Sequence, residues 1–404
     1  MRFGLYHAHA GTKSAGGKAV FVRQLARELA SGHEVVLYTE FDRRADVADS
    51  LLESDASLYR IPPVESDRVR RFVHQRTPLG TADLLPLVSG LRSGLRSHVN
   101  ESVDVLLTHR FLEDTVLSNV VDVPTVYQYH NVASVGLGAR TREHCSATDY
   151  HLANSTQIAH EVREKLDRDV DGIVSPGLDL ERFTPEATPG LHPDAPSILF
   201  VGRVRAGKGV SELLESVARL SLDAQLYVVG DGDLASVQRQ ATDLGVDEAV
   251  TLVGEVPHEE LPGYYTACDV FCNPTRYEGF GMVNLEAMAC GLPVVTTDIP
   301  GVREYADHGE NALLVSPRHV DDLAAALESI LASPSRRDEL AETGRETARQ
   351  YSWASQADRL VAFCRRVLED EGEDEDEHGA GSVDRSREEN RHPRPDRRGR
   401  SFSE

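Results

Sequence analysis

The sequence predicts an α/β fold built from two doubly wound parallel sheets that follow one another along the chain. Short apolar runs alternate with segments of helical periodicity over most of the 404 residues, which is typical of parallel sheets covered by helices. A proline-rich stretch at 184–196 separates two such series. The length itself suits about two or three domains.

The first series begins with a buried strand, a Gly-rich loop at 11–17 and a helix over 18–30 that ends at Gly32. Apolar residues recur in this helix at the spacing of one helical face. The strands predicted for this series are 2–8, 33–38, 103–108, 125–130 and 151–153. Helical stretches lie between them, so that consecutive strands can run parallel.

The second series repeats this pattern after the proline-rich stretch. Its predicted strands are 198–201, 225–229, 250–253, 270–273, 293–297 and 312–315. Helices are expected between the strands, and helical stretches over 320–349 and 353–368 close the series. Two doubly wound domains in tandem are expected to enclose a cleft at the carboxyl ends of their strands, where such folds bind ligands.

These patterns also predict where the chain divides. The expected segments are an N-terminal domain over 1–183, a linker over 184–196, a C-terminal domain over 197–350, a helix over 351–370 that packs back on the N-terminal domain, and a tail over 371–404. Eight of the nine residues from 369 to 377 are acidic, and the residues beyond them are polar and charged. Such a segment buries little apolar surface, which predicts a disordered tail.

The composition predicts a cytoplasmic protein. No apolar stretch reaches the roughly 18 residues of a membrane helix, and the chain begins directly with a strand rather than an apolar leader. Five cysteines are scattered along the chain, which argues against a disulfide framework. Cys268 and Cys272 lie close together without a second pair or a histidine cluster, so we expect core packing and no metal site.

The charge of the chain is strongly negative. The net charge is −23, and only four of the 43 basic residues are lysines. We interpret this acid-rich, lysine-poor composition as adaptation to high salt, and it disfavours binding to nucleic acid. The segment 67–98 differs, since it holds six arginines and two aspartates. It is either a solvated helix face or a patch for an anionic acceptor or the inner membrane surface, which leaves peripheral membrane contact open.

The most informative motif combines a Gly-rich loop with the helix that follows it. Glu278 stands in the loop, and Glu286 lies in the helix. Gly279 and Gly281 allow the backbone to take positive φ and to approach a ligand closely. The helix beginning near Met282 presents unpaired N–H groups and the positive end of its dipole. An anion site between two carboxylates fits a ligand with phosphates and hydroxyls, such as a nucleotide sugar.

A second Gly-rich loop, 202–209, follows the first strand of the second series and carries Arg203 and Lys208. These two cations can converge on a diphosphate and stabilise it as a leaving group. The alternative is an exposed loop with ordinary surface cations, and the spacing is not that of a Walker loop. The run Gly230-Asp231-Gly232 follows the second strand of its domain, which favours an ordinary βα turn over a dinucleotide fingerprint.

Taken in order, these motifs resemble the retaining glycosyltransferases of family 4, which have the GT-B architecture of two Rossmann-like domains. The stronger part of the resemblance lies in Gly202-Arg203 with Lys208-Gly209, Gly230-Asp231-Gly232, Gly254-Glu255-Val256-Pro257, Glu278-Gly279-Phe280-Gly281 and the run from Glu286 to Val295. The weaker part lies in Gly16-Gly17 with Gly32-His33, and in Ser175-Pro176-Gly177, where asparagine is usual in place of Pro176. The resemblance covers about residues 1–368.

The resemblance implies a role for each matching residue. Arg203 and Lys208 would grip the donor diphosphate in place of a metal. Glu278 would contact the transferred sugar, and Glu286 would bind the ribose hydroxyls. Main-chain contacts are implied for the other donor-binding residues, namely Phe280, Gly281 and Met282 near the phosphates or sugar, Gly254 and Val256 along the nucleobase, and Gly16 and Gly17 at the phosphates.

The family also places a histidine against the sugar. His130, which closes the strand at 125–130, matches that position. His109, which ends the preceding strand, is the rival, and either residue could instead be a structural histidine.

The implied reaction moves a sugar from a nucleotide-diphosphate sugar to a glycan or lipid-linked acceptor, with retention of configuration and without a metal or cofactor. The two-carboxylate mechanism of retaining glycosidases need not apply, since Glu286 is assigned to the ribose. One alternative is another GT-B enzyme such as a nucleotide-sugar epimerase, which needs further acids and histidines around the sugar. The other is a non-catalytic nucleotide-sugar-binding protein. The intact charged residues of the motifs argue against it, namely Arg203, Lys208, Glu278 and Glu286.

Overall fold

The structure is a computed structural model, and it describes residues 1–12, 17–41, 47–62, 84–132 and 147–379. Two compact units divide the chain. Unit 1 comprises Met1–Asn154, Ile158–Val174 and Gln356–Glu404, and unit 2 comprises Ser155–Gln157 and Ser175–Ser355. Gly16 and most of the arginine-rich segment 67–98 lie outside the described residues.

Unit 1 contains a seven-stranded parallel sheet with the strand order β3-β2-β1-β4-β5-β6-β7. The strands are β1 (Arg2–Tyr6), β2 (Glu34–Glu40), β3 (Ser57–Ile61), β4 (Val105–Thr108), β5 (Thr125–Tyr129), β6 (Tyr150–Ala153) and β7 (Gly172–Ile173). The described helices are α1 (Gly17–Ala30), α2 (Asp49–Leu52), α3 (Leu84–Arg92), α4 (Leu95–Ser102), α5 (Phe111–Leu117) and α6 (Thr156–Leu166). The order reverses between β1 and β4, so their carboxyl ends form the topological switch point of unit 1.

The two strands that the sequence analysis missed lie at the edges of this sheet. In β3, only Ile61 is fully buried, so the strand lacks the apolar run that marks the central strands. The other, β7, has two residues, Gly172 and Ile173, which is too short for any periodicity to show. The buried central strands, by contrast, are found within a few residues of their predicted positions.

Unit 2 contains a six-stranded parallel sheet with the order β10-β9-β8-β11-β12-β13. The strands are β8 (Ser197–Val201), β9 (Gln225–Val229), β10 (Val250–Gly254), β11 (Val270–Asn273), β12 (Val294–Thr297) and β13 (Leu313–Val315). The helices are α7 (Val210–Val217), α8 (Leu234–Leu244), α9 (Leu261–Tyr265), α10 (Met282–Ala289), α11 (Pro300–Arg303), α12 (Val320–Leu331) and α13 (Pro334–Arg349). Here the order reverses between β8 and β11.

Both faces of the second sheet are covered. Leu199 and Val201 belong to one buried cluster with residues of α10, whereas Ile198 and Phe200 belong to another with residues of α7. Because successive side chains of a strand point to opposite faces, this division places a layer of helices on each side. The predicted fold of two doubly wound parallel sheets is therefore confirmed.

The segment predicted as a linker, 184–196, is part of unit 2, and the chain passes between the units at 174–175 instead. Phe183, just before it, lies in the core of unit 2 with 2% of its surface exposed. The amide of Gly190 donates to the carbonyl of Gly263 at 2.7 Å. Proline content correctly marks a segment without regular structure, but it does not show that this segment covers one domain.

A last helix, α14 (Trp353–Gly379), belongs to unit 1 from Gln356 onward. The ring of Phe363 packs against Tyr150, with 6.2 Å between the ring centroids. The helix extends nine residues beyond the predicted boundary at 370, and the disorder of the tail stays a prediction. Extending an existing helix needs no new nucleation, and glutamate is a good helix former. Residues 380–404 lie outside the described part of the chain.

The four cysteines that the structure describes are free thiols, namely Cys268, Cys272, Cys290 and Cys364. None of the helices in the described ranges is both long and apolar enough to cross a membrane.

Candidate active site

The charged residues singled out from the sequence meet at the switch point of unit 2. Arg203 and Lys208 lie in the loop after β8, and Glu278 lies in the loop after β11. These strands are neighbours in the sheet, so their carboxyl ends bring the two loops side by side. Ligands of open α/β sheets bind at this place.

The two loops are locked together by backbone contacts. Gly209 has a φ of +76°, and a Cβ atom there would lie 2.0 Å from the carbonyl oxygen of Pro274. The amide of Arg276 donates to the carbonyl of Gly207 at 2.8 Å. Any larger residue at Gly209 would therefore separate the loop that carries Lys208 from the loop that carries Glu278.

An ion pair that the sequence analysis missed strengthens this junction. The Nη2 and Nε atoms of Arg276 lie 2.5 Å and 3.0 Å from Oε1 of Glu212, in the first turn of α7. Glu212 is 8% exposed, so loss of Arg276 would leave a buried carboxylate without its ion-pair partner. The sequence shows an arginine beside the Gly-rich loop, but it does not reveal the partner of this arginine, which lies 64 residues away.

Lys208 and Glu278 form an ion pair with each other, between Nζ and Oε1. Their side chains are 17% and 16% exposed, so the pair is partly screened from water. The residue predicted to bind the diphosphate, Lys208, and the residue predicted to bind the sugar, Glu278, are thus within hydrogen-bond distance of each other. Together they offer a positive and a negative group to one ligand that carries both phosphate and hydroxyl groups.

Arg203 is the more exposed of the two cations. Its side chain is 68% exposed, and Nε lies 3.1 Å from Oδ1 of Asp231. Asp231 belongs to the turn after β9, whose Gly230 and Gly232 have φ of +137° and +120°. A Cβ atom at either glycine would lie 2.1 Å from a carbonyl oxygen of the Arg203 loop. The turn that the sequence favoured as an ordinary connection therefore packs on that loop and orients Arg203.

A buried polar network supports the start of α10. Gly281 precedes the helix with a φ of +87°, and its carbonyl accepts a hydrogen bond from the Tyr305 hydroxyl at 3.2 Å. The side-chain Nδ2 of Asn284 donates to that hydroxyl at 2.8 Å, and Nδ2 of Asn273 donates to Oδ1 of Asn284 at 3.0 Å. Since these atoms are buried and satisfied, the N-terminus of α10 is held at a fixed position beside Glu278.

Glu286 is held from two sides. The hydroxyl of Tyr265 donates to Oε2 at 2.9 Å, and Nε2 of His258 lies 3.3 Å from Oε1. The hydrogen bond to Glu286 raises the pKa of His258, against the opposing effect of burial. Nη1 of Arg182 lies 3.3 Å from the other ring nitrogen of His258. Neither Tyr265 nor His258 was predicted, since only the fold brings them to the carboxylate.

The remaining predicted donor residues of unit 2 lie around these groups. Gly254 ends β10 with a φ of +85°, and its carbonyl accepts from the Gly230 amide at 2.7 Å. Val256 follows and packs partly on the core, while Met282 begins α10 half-buried. The ring of Phe280 is buried against Tyr305 at 5.4 Å, so only its main chain can meet a ligand.

Histidines occupy the corresponding place in unit 1. His7, His109 and His130 directly follow β1, β4 and β5. Nδ1 of His109 lies 3.2 Å from Nε2 of His130, so the two rivals of the sequence analysis are in contact. Burial lowers the pKa of His130 to about 3, helped by the charge of Lys18, and lowers that of His7 to about 2. Gly17 begins α1.

Comparison with known proteins agrees with this architecture. The model of the glycosyl transferases group 1 matches residues 185–347, and the model of glycosyltransferase family 4 matches residues 15–182. D-inositol 3-phosphate glycosyltransferase of Rhodococcus erythropolis strain PR4 is 30% identical over 397 residues, which is 89% of this chain and 88% of that protein.

Solved structures share the fold at lower identity. Sucrose-phosphate synthase from Thermosynechococcus elongatus superposes with a TM-score of 0.68 at 24% identity, covering 91% of this chain and 99% of that one. Anabaena HepE, solved with UDP and glucose, gives a TM-score of 0.67 at 17% identity, covering 91% and 100%. Together with the matches of sequence across both units, these likenesses show that the chain belongs to glycosyltransferase family 4 and has the GT-B fold.

Proposed function

We propose that this protein transfers a sugar from a nucleotide-diphosphate sugar to a hydroxylated acceptor, with retention of anomeric configuration and without a metal ion. The contact between Lys208 and Glu278 at the switch point of unit 2 carries the proposal. The pair places a cation that can bind phosphate beside a carboxylate that can bind sugar hydroxyls. The exposed Arg203 adds a second cation on the same loop.

The donor would bind through four kinds of contact. Arg203, Lys208 and the N-terminus of α10 face the diphosphate, since charge-assisted hydrogen bonds and a helix dipole both favour an anion. Glu278 accepts hydrogen bonds from sugar hydroxyls, and Glu286 accepts them from the ribose. The main chain from Gly254 to Val256 lines the nucleobase. The family resemblance assigns His130 to a hydroxyl of the transferred sugar.

Donor binding would exchange the partners of the Lys208–Glu278 pair. Phosphate oxygens replace Glu278 as the partner of Lys208, while sugar hydroxyls replace Lys208 as the partners of Glu278. Both partly buried charges then keep a partner, which avoids the cost of leaving one uncompensated. A nucleoside diphosphate without its sugar satisfies only Lys208.

The chemistry would rest on stabilising the diphosphate as it leaves. Positive groups placed where charge develops typically contribute more than any other single effect. Glu286 already accepts hydrogen bonds from Tyr265 and His258, which suits binding rather than nucleophilic attack. This arrangement supports departure of the diphosphate without the carboxylate pair of retaining glycosidases.

The proposed acceptor supplies the hydroxyl group that receives the sugar. A glycan or lipid-linked acceptor follows from the family resemblance. The name of the Rhodococcus relative adds D-inositol 3-phosphate as a second acceptor to test. The cytoplasmic location and contact with a membrane surface through 67–98 remain predictions.

A donor screen tests the proposal. Nucleotide sugars are tested for thermal stabilisation and slow hydrolysis in high salt with EDTA, and then for transfer to each acceptor. One donor should stabilise the wild type, and Lys208→Ala should lower turnover about 10²–10³-fold, as removal of an oxyanion donor does. Lys165→Ala removes another lysine that pairs with a glutamate, Glu161 at 2.6 Å, and serves as the matched control.

The other outcomes select the alternatives. Donor binding without transfer to any acceptor would favour a binding protein, and interconversion of the sugar would favour an epimerase. Loss of activity with EDTA would overturn metal independence, and a product of inverted configuration would overturn retention.

A further inference from the structure

We propose that His109 is a positioning residue, which holds His130 in the tautomer that carries its proton on Nδ1. The inference rests on the proposed function in one respect, because it takes His130 as the residue that contacts the sugar. Its structural part concerns only the side chains of unit 1.

The geometry of the pair is tightly constrained. His109 is fully buried, and its Nδ1 lies 3.2 Å from Nε2 of His130. The ring of Phe21, on α1, packs edge-on against both imidazoles, with centroid distances of 5.8 Å and 4.8 Å. Each ring therefore has a packed neighbour and a hydrogen-bond neighbour, which fixes its orientation.

The second nitrogen of His109 decides where the protons lie. Nε2 of His109 is buried and has no hydrogen-bond partner among the described residues. If His130 donated to His109, this nitrogen would carry an N–H group buried without an acceptor. If His109 donates through Nδ1, the same nitrogen carries only a lone pair. Buried N–H groups without a partner are rarer in proteins than acceptors without one, so the second arrangement is favoured.

Both imidazoles are neutral, so each carries one proton. Burial and the neighbouring His130 lower the pKa of His109 well below its ordinary value. When Nε2 of His130 accepts from His109, the single proton of His130 must lie on Nδ1. A neighbouring donor fixes the tautomer of His7 as well. Its Nδ1 accepts from the backbone amide of His9 at 3.2 Å, so the proton of neutral His7 lies on Nε2.

The consequence is a defined chemical role for His130. It presents an N–H donor without a charge, which suits a hydroxyl oxygen of a sugar. With the opposite tautomer it would present a lone pair, and it would compete with carboxylates for hydroxyl protons. His109 thus determines whether His130 donates or accepts, although His109 itself is too deeply buried to touch a substrate.

Nitrogen NMR tests the inference in the full chain without any ligand. Protein labelled with ¹⁵N-histidine gives two-bond correlations that distinguish the tautomers, and His130→Gln assigns the His130 signals by removing them. We expect His130 to be neutral and protonated at Nδ1 near neutral pH. Protonation at Nε2 would overturn the inference.

Two variants at His109 separate positioning from packing. His109→Asn keeps an N–H donor near the place of Nδ1, so the His130 signals should stay as in the wild type. His109→Leu removes the donor, and His130 should shift toward a mixture of tautomers. If His130 keeps the same tautomer in His109→Leu, His109 does not set it and the inference is wrong.

Activity gives a second readout with the donor found in the screen. His109→Leu should lose about three- to tenfold in kcat/KM, the effect of one neutral hydrogen bond, while His109→Asn should change it less than about twofold. Equal losses in both variants would assign His109 to packing alone. Absence of transfer by the wild type would overturn the proposed function instead, and it would leave the tautomer result standing.

Discussion

Units 1 and 2 share the spatial order of their first six strands but place different chemistry at the switch point. In both, the strand order reverses next to the first strand, and side chains collect at the carboxyl ends of the strands that flank the reversal. Unit 1 places the imidazoles of His7, His109 and His130 there. Unit 2 places Arg203, Lys208 and Glu278 there. The topology decides where a ligand binds, and the loop sequences decide what it meets.

Partners explain why one site is neutral and the other charged. His7 is buried and His130 is half-buried, and both burial and the charge of Lys18 lower their pKa values, so these imidazoles are uncharged at neutral pH. The charges of unit 2 are kept by pairing, as Lys208 pairs with Glu278 and Arg276 with Glu212. Exchanging or removing an ion-pair partner should therefore change ligand binding and stability in unit 2, where charges depend on pairing.

The largest effect is expected from reversing the central pair. Lys208→Glu combined with Glu278→Lys restores an ion pair but puts the negative group where the diphosphate binds. Turnover should fall by about 10²–10³-fold or more, while the free energy of unfolding stays within about 1 kcal/mol of the wild type. Steady-state kinetics and urea unfolding check this. Wild-type turnover by the double variant would show that the pair serves stability alone.

The next effect concerns the junction between the two loops of unit 2. Arg276→Gln leaves Glu212 buried without its partner, which should destabilise the protein by about 1–3 kcal/mol and raise the KM for the donor. A double-mutant cycle with Glu212→Gln measures the coupling. The exposed pair Arg219–Asp321, at 2.6 Å, is the control, and its coupling should be below about 1 kcal/mol. Equal coupling in both pairs would contradict the assigned role.

A smaller effect should follow from loosening Glu286. Tyr265→Phe removes the hydroxyl that holds Oε2, so the KM for the donor should rise about three- to tenfold with little change in kcat. Tyr264→Phe, one residue earlier, is the matched control. A fall in kcat with unchanged KM would place Glu286 in the chemical step rather than in ribose binding.

The smallest effect concerns pH. Glu286 raises the pKa of His258 in the folded protein. The contact therefore contributes its full stabilisation of the fold below the pKa of histidine in the unfolded chain, near 6.5, and this contribution is lost as pH rises through the pKa of His258 in the folded protein. His258 is 56% exposed, so the contribution should be only a few tenths of a kcal/mol. Urea unfolding at about pH 6 and pH 8.5 should show this loss in the wild type and not in His258→Gln. His319→Gln, another exposed histidine, should behave like the wild type.

The sequence predicted the fold and the family better than it predicted the contacts. Periodicity found the central strands, since buried strands carry the strongest pattern, and the resemblance to family 4 is confirmed. The edge strands β3 and β7 escaped because they bury few residues. The segment 184–196 was assigned to a linker, because composition does not reveal which surface a proline-rich segment covers.

For the candidate site, too, the sequence predicted the residues better than it predicted their contacts. Motifs identified Arg203, Lys208 and Glu278, and their roles remain predictions. The contacts Arg203–Asp231, Arg276–Glu212 and Tyr265–Glu286 were missed, because each joins residues far apart in sequence. For His109 and His130 the sequence offered two rivals, and the structure shows that they form a pair.

The most direct test compares the affinity of the protein for its nucleotide sugar with that for the same nucleoside diphosphate without sugar. Titration calorimetry on the wild type should show at least about tenfold tighter binding of the nucleotide sugar, because only that ligand gives Glu278 new partners. In Glu278→Gln the preference should vanish, and the nucleoside diphosphate should bind more tightly than to the wild type. Equal affinities in the wild type, or a preference that survives in Glu278→Gln, would contradict the exchange of partners between Lys208 and Glu278.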